Sequence, residues 1–411
     1  HHWKPKYSYA LLESSYPLLL TGSCGSGRTR CLTSLMAQNI RDGMPFVYVN
    51  GQGDVGVFYE FYSQAKQHNR SNDLYFLNLL TRSTECSHTF DPINPLIGDE
   101  ESFIALFGAA FGPVLHQLCL CEKEAGHLVD AERLKSFSKP NDLEQMVDQG
   151  RYAGAKPALS AYLASLKNLS YASNETSHFS VDACNRFEVD PGVLQHFLNL
   201  EMMSNFVDML DTYPIFSTSP NVDIAKVFKH NKFVVVSLPA IEKDPDALGC
   251  MSTLFTCLVS QAIPHFPKAS AHPAVVFEAT VDFQALGDAL LSRFSKANAI
   301  FAYTYYGCEG HLSYKTFESI TRMAKAVINL KVESMLPQCI KASAIKHGTD
   351  GRREIRDIPL LHPGQSISWG SIGIMQRGKM LVLDGAYRFE FRRTFGQRLD
   401  EIKLNKTLIE A

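Results

Sequence analysis

The chain lacks the cysteine pairs that a zinc knuckle or a dithiol redox centre needs. Its ten cysteines are scattered, no C-x-x-C occurs, and Cys119-Leu-Cys121 is too closely spaced for an ordinary zinc ligand pair. Free thiols in a reducing compartment are the expectation. Fourteen histidines are present, yet none forms an H-x-x-x-H pair, so no helical metal site stands out. A charge of one sign is also missing. The net charge is −2 over 411 residues, which excludes a global attraction to nucleic acid and leaves only local basic surfaces for that role. No apolar run reads as a membrane span, and no signal peptide is expected. There is no internal repeat, low-complexity tract, nucleophile elbow or thiol-protease arrangement. The remaining composition, 45% hydrophobic and 20% charged, is that of a globular protein with a real core. The length suits two or three domains, or one domain with a large insertion. His1-His2 reads as the remnant of a tag, which leaves an upstream segment, including a membrane anchor, open.

What is present begins with Tyr16-Pro-Leu-Leu-Leu-Thr-Gly-Ser-Cys-Gly-Ser-Gly-Arg-Thr29. An apolar strand leads into a glycine-rich turn and then into a helix. Gly22, Gly27, Arg28 and Thr29 fit the phosphate-loop pattern G-x-x-x-x-G-K-[ST], with Arg28 where the lysine belongs. Ser23, Cys24, Gly25 and Ser26 fill the loop, and Arg30 follows it on the helix. Such a turn closes backbone N–H groups around a phosphate chain, and the helix aims its positive end at the same anion. Thr29 could offer its hydroxyl to Mg2+. The plain alternative is a glycine-rich turn without a ligand.

Strands and helices alternate along the first part: a strand at 18–21, a helix, a strand at 46–50, a helix near 58–68 and a strand at 74–80. The pattern returns with a strand at 233–238, a helix over 246–263 and strands at 274–277 and 299–306. A helix near 313–325 and a strand at 326–332 follow. Apolar strands separated by helices predict a parallel sheet covered on both faces. Between 97 and 229 strand signals vanish, and 101–111, 157–166 and 193–210 look helical. The expected fold is therefore α/β. It is a RecA-like P-loop nucleotide-binding core with a mostly parallel sheet, plus an inserted all-helical domain. The core's first part spans 1–96, the inserted all-α domain 97–229, and the second part with its C-terminal tail 230–411. The tail carries β-like stretches at 379–383 and 387–392.

Several segments resemble one family, the type IV coupling proteins of conjugation and secretion (the TraG/TraD/DotL group). Tyr48-Val-Asn-Gly-Gln-Gly-Asp54 is similar to the family's Asp-Gly-Lys-Gly-Asp motif, with Asn50 and Gln52 substituted. Phe90-Asp-Pro-Ile-Asn-Pro-Leu96 resembles the Phe-Asn-Pro-Leu segment that precedes the helical insertion. Asn221-Val-Asp-Ile224 through Phe233-Val-Val-Val-Ser-Leu-Pro-Ala-Ile-Glu-Lys243 resembles the strand that returns from it. Leu361-His-Pro-Gly-Gln365 looks like the late Pro-Gly-Glu turn. The resemblance implies an ATP- and Mg2+-binding motor at the cytoplasmic face of the bacterial inner membrane, tethered through a segment not present here. It implies a homo-oligomer, a hexameric ring, working with other type IV secretion components and adaptors. The ring would pass substrate protein or DNA to the secretion channel.

The hydrolytic parts depart from that pattern. Phosphoryl transfer needs a phosphate clamp, a metal ligand, a group that positions water and a charge from a neighbouring subunit. Arg28 keeps the clamp's charge, but its planar fork does not reproduce a lysine's point contact. Where Asp-Glu should follow an apolar strand, the chain has Glu278-Ala279-Thr280. Glu278 could hold the metal's water shell or position the attacking water, but hardly both; Asp282 is a possible substitute. The strand at 299–306 ends without the family's glutamine, leaving Thr304 as the small polar candidate. Arg322 is the candidate trans charge, with Lys325 and Lys331 nearby. His347 with Arg352, Arg353 and Arg356 forms a basic stretch that could face DNA in a pore, although a solvated loop is the plainer reading. The chain therefore reads as a coupling-protein ATPase or as a non-hydrolysing scaffold of the secretion complex. A DNA translocase of the FtsK/HerA kind is disfavoured by the helical insertion.

Overall fold

A computed structural model describes residues 16–22, 27–91, 145, 160, 205–206, 208–210, 212–216, 220–240, 245–267, 272–280, 293–304, 319–320, 322–329, 341–347, 353–359, 372–376 and 379–383. The first block runs β1 (Leu18–Gly22), α1 (Arg28–Asp42), β2 (Phe46–Asn50), α2 (Gly56–Gln67) and β3 (Leu74–Asn78). The second runs α3 (Ile224–Lys229), β4 (Phe233–Ser237), α4 (Pro245–Ala262), β5 (Val275–Glu278), β6 (Ala299–Thr304) and β7 (Ala326–Asn329). Strands β8 (Lys341–His347), β9 (Arg353–Pro359), β10 (Ile372–Gln376) and β11 (Lys379–Leu383) follow.

Nine strands form one sheet in the order β11-β10-β7-β1-β6-β5-β2-β4-β3. Every pairing from β7 across to β3 is parallel. The C-terminal hairpin β10–β11 closes the β7 side in antiparallel fashion. Strands β1 to β5 are buried along their whole lengths, which is why they read as unbroken apolar runs rather than alternating ones. The five strands expected at 18–21, 46–50, 233–238, 274–277 and 299–306 are all in this parallel sheet. Four differ in their bounds: β1 runs on to Gly22, β4 ends at Ser237, β6 is described as far as Thr304, and β5 starts one residue later and ends on Glu278 itself.

Helices α1 and α2 cover one face. Leu32, Met36 and Ile40 of α1 and Val57, Phe58, Phe61 and Ala65 of α2 share a core with Leu18, Leu20, Phe46, Tyr48, Phe76, Val235, Val276 and Ile300. Phe58 stacks on Phe76 at 4.0 Å between ring centres, and Tyr48 meets Phe61 edge-on at 5.3 Å. Helix α1 is framed by two glycines in the left-handed region, Gly27 (φ 92°) before it and Gly43 (φ 73°) after it. Helix α4 and the short turn after it contain an apolar stretch, Ala247–His265, with a mean hydropathy of 1.4. Its length and composition would suit a membrane span, yet 67% of that window is buried in the fold, as befits a core helix.

Most of 97–229 lies outside the described residues, but the two ends of that segment meet. Thr89 N–H donates to Asn221 Oδ1 at 2.7 Å, and Thr89 O accepts from Asn221 and Val222. Phe90 bridges both Phe216 and Val222. The expected strand at 387–392, the turn at 361–365, Asp282 and Lys331 lie outside the described residues, as does most of the helix expected near 313–325. The basic stretch read as a loop is instead partly a hairpin: His347 ends β8 and pairs with Arg353 of β9, and Arg356 pairs with Ala344. Arg352 lies outside the described residues.

Candidate functional site

The site lies where β1, β2 and β5 end. In a parallel sheet these ends open onto one edge, and a chain that leaves β1 and crosses to β2 leaves a crevice there. Gly22 is the last residue of β1, and α1 begins at Arg28 straight after Gly27. The first turn of α1 has no acidic residue and its cap position makes no side-chain hydrogen bond. This helix N-terminus suits an anionic phosphate group. Among the expected loop residues, Gly22, Gly27, Arg28, Thr29 and Arg30 are described; Ser23, Cys24, Gly25 and Ser26 lie outside the described residues. Arg30 is an exposed residue of the helix.

Thr29 and Glu278, far apart in sequence, come together. Thr29 Oγ1 donates to Glu278 Oε1 at 2.6 Å. Two residues that sequence reasoning did not place in the site join them. Tyr48 OH donates to Glu278 Oε2, and Gln52 Nε2 lies 2.8 Å from Glu278 Oε1 and 3.1 Å from Thr29 Oγ1. The signal for Gln52 was its place in the motif at 50–54. Tyr48 gave none, since a tyrosine in an apolar strand reads as core. The loop after β2 is pressed against the end of β5: Gly51 N–H donates to Glu278 O at 2.8 Å.

Glu278 is fully buried. Burial pushes its pKa above the usual carboxylate range, while the hydrogen bonds from Thr29 and Tyr48 and the charge of Arg28 pull the other way. Burial, with the neighbouring Glu278 charge second, also holds the Tyr48 phenol protonated well beyond its usual range. Cys31, one turn along α1, is pushed up to about 12 by burial and then by Glu278, so its thiol is inert. Arg28 is itself buried and donates through a terminal guanidinium nitrogen to Gly22 O at 2.9 Å. That bond joins the two ends of the loop.

The bond to Thr29 ties Glu278 to the first turn of α1. The next residue, where the family pattern has a second carboxylate, is Ala279, with φ 51° and its N–H on Ala302 O. Thr304 ends β6 in register with Gly22, next to the loop. Arg322 is exposed and lies just ahead of β7, whose first residue pairs with Leu18 at the start of β1. It therefore belongs to the opposite edge of the sheet, and the fold does not bring it to Glu278 within one chain. Lys325 is on that edge too, with its N–H on Pro17 O.

No family model matches the chain. In sequence it is 24% identical over 267 residues to the type 4 coupling protein DotL of Legionella pneumophila, a match covering 56% of this chain and 34% of that protein. The chain thus spans about a third of the length of this curated relative. Its fold matches that of the plasmid coupling protein TrwB in complex with ADP and Mg2+, with a TM-score of 0.58 and 11% identity over 96% of this chain and 91% of that one. TrwB in complex with a non-hydrolysable ATP analogue matches with a TM-score of 0.54 and 12% identity, over 93% and 87%. In sequence and in fold the chain is thus similar to type IV coupling proteins. Its core shares the RecA-like P-loop α/β fold of TrwB. The oxygen donors of Thr29 and Glu278, 2.6 Å apart, are of the chemistry that would suit a hard divalent cation such as Mg2+.

Proposed function

We propose that the chain is the nucleotide-binding core of a type IV secretion coupling protein that holds ATP at the loop from Gly22 to Thr29 and turns it over slowly. The reading is carried by one observation: Glu278 is committed to Thr29 at 2.6 Å, and the residue after it is Ala279. Backbone N–H groups of the loop and the start of α1 hold the phosphates, Arg28 adds a permanent positive charge, and Thr29 with Glu278 forms the metal-side pair. Bound Mg2+ would supply neutralisation of phosphate charge. Ala279 offers no group to position water. One missing charge-stabilising or positioning contact commonly costs about 10²–10³ in rate.

In this proposal the chain assembles as a ring, a hexamer, at the cytoplasmic face of the inner membrane. Arg322 sits on an exposed edge from which it serves a neighbouring subunit. The ring hands protein or DNA to the secretion channel together with adaptors. The segment 97–229 is an inserted domain, supported by the meeting of Thr89 and Asn221 at its two ends. A second reading, a non-hydrolysing scaffold, is favoured by Ala279 alone.

Titration with a labelled ATP analogue and a separate phosphate-release assay test the proposal. Binding with slow release, abolished by Glu278→Ala, is the expected result. Binding without any release selects the scaffold. No binding removes the nucleotide reading.

A further inference from the structure

We infer that Gln52 does for the buried Glu278 carboxylate part of what a divalent ion does in an ordinary phosphate-loop site, so that nucleotide binding here depends only weakly on Mg2+. The inference rests on the nucleotide-binding reading above and concerns the form in which that site takes its ligand: a nucleoside polyphosphate as a free anion as well as its metal complex.

A fully buried carboxylate is costly unless it is paired or hydrogen-bonded. In this chain both of its oxygens are met by side-chain donors: Tyr48 on Oε2, Thr29 at 2.6 Å and Gln52 at 2.8 Å on Oε1. The same Gln52 nitrogen lies 3.1 Å from Thr29 Oγ1. A threonine hydroxyl has one proton and two lone pairs. Its proton goes to Glu278, and Gln52 occupies one lone pair that a cation would use. Gln52 therefore bridges the two groups that a metal ion would bridge.

The carboxamide is held in that place. The Gln52 backbone N–H donates to Asn50 Oδ1 at 3.0 Å. Its two neighbours are glycines for steric reasons. A Cβ on Gly51 would stand 2.2 Å from Ala279 O, and one on Gly53 would stand 2.5 Å from Ala240 Cβ, at a φ of 76°. The loop is wedged between the ends of β4 and β5, so Gln52 is a fixture of the site. Arg28, buried and tied to Gly22 O, supplies a permanent cation in the same cradle, which suits a phosphate chain that arrives without its metal.

The test is a titration of a fluorescent ATP analogue onto the purified chain, once in EDTA and once in Mg2+. For the unaltered protein the two dissociation constants are expected to agree within about threefold, less than one hydrogen bond to a charged group is worth. Gln52→Ala removes that bond, so its ratio of EDTA to Mg2+ dissociation constants rises about tenfold. Gln52→Glu, which sets a like charge beside Glu278, raises the ratio further. An unaltered protein that binds more than about tenfold tighter with Mg2+ overturns the inference and leaves the nucleotide reading intact. Equal weakening of Gln52→Ala in both buffers also overturns it. No binding in either buffer overturns the inference and the nucleotide reading together.

Discussion

The Tyr48 hydroxyl donates to Glu278 Oε2 across the β2–β5 pairing, and neither side chain has any exposed surface. Such a bond contributes little net energy while it is made and costs much when one partner is removed. Tyr48→Phe leaves a buried carboxylate short of a donor and is expected to lower stability by about 1–3 kcal/mol. Urea denaturation at neutral pH measures the loss. In a Glu278→Gln background the same change is expected to cost less, because a neutral amide tolerates the missing donor better. Equal costs in the two backgrounds would contradict the contact.

Thr29 and Glu278 act as one unit if the 2.6 Å bond persists with nucleotide present. Thr29→Val and Glu278→Ala are each expected to weaken Mg2+–nucleotide binding. The double variant is expected to lose less than the sum of the two, with a coupling of about 0.5–3 kcal/mol. Fluorescence titration of the four proteins checks this, and strict additivity speaks against the pairing.

Gly51→Ala is the sharpest steric test of the site. The new methyl would stand 2.2 Å from Ala279 O and 2.8 Å from Ala279 C, backbone atoms that cannot rotate away. Overpacking of this kind typically costs about 1–3 kcal/mol. The displacement falls on the peptide after Glu278, so nucleotide binding is expected to weaken in step with the melting temperature.

Asp73 links the start of β3 to the turn before β4, with Arg70 Nε at 2.8 Å and Lys232 Nζ at 2.6 Å. Burial raises its pKa, but the hydrogen bonds and charges of Lys232 and Arg70 outweigh it and the net shift is downward from the usual 3.8. The folded form thus releases the proton more readily than the unfolded chain. The pair's contribution is present above the unfolded pKa and is lost as pH falls through the lower folded value. Asp73→Asn is expected to cost about 1 kcal/mol at pH 7, and the difference from the unaltered protein shrinks below about pH 4. A difference that stays constant into acid counts against an electrostatic origin.

The strands were legible because a doubly covered parallel sheet writes itself as short apolar runs such as Phe233-Val-Val-Val, and α1 because Gly27 and Gly43 punctuate it. Thr29 and Glu278 were each legible as candidate metal-site residues, but their direct hydrogen bond was not. Tyr48 and Gln52 stayed hidden for a topological reason. They reach Glu278 because β2 lies directly beside β5, an adjacency created by chain crossovers that local sequence does not encode. The end of β5 was misplaced for a related reason. Glu278 looks like a residue beyond the strand until its peptide is seen hydrogen-bonded to the Gly51 loop.

Strand β1 lies between β6 and β7, and the β10–β11 hairpin lies beyond β7 on that side. Its amides from Leu18 to Gly22 can therefore exchange with solvent deuterium only when the sheet as a whole comes apart. A nucleotide held just past Gly22 slows that exchange through total stability rather than through local shielding. A ligand at a hundredfold excess over its dissociation constant adds about 2.7 kcal/mol of protection. The slowest deuterons of β1 thus become a gauge of how full the neighbouring loop is, readable without any label on the ligand.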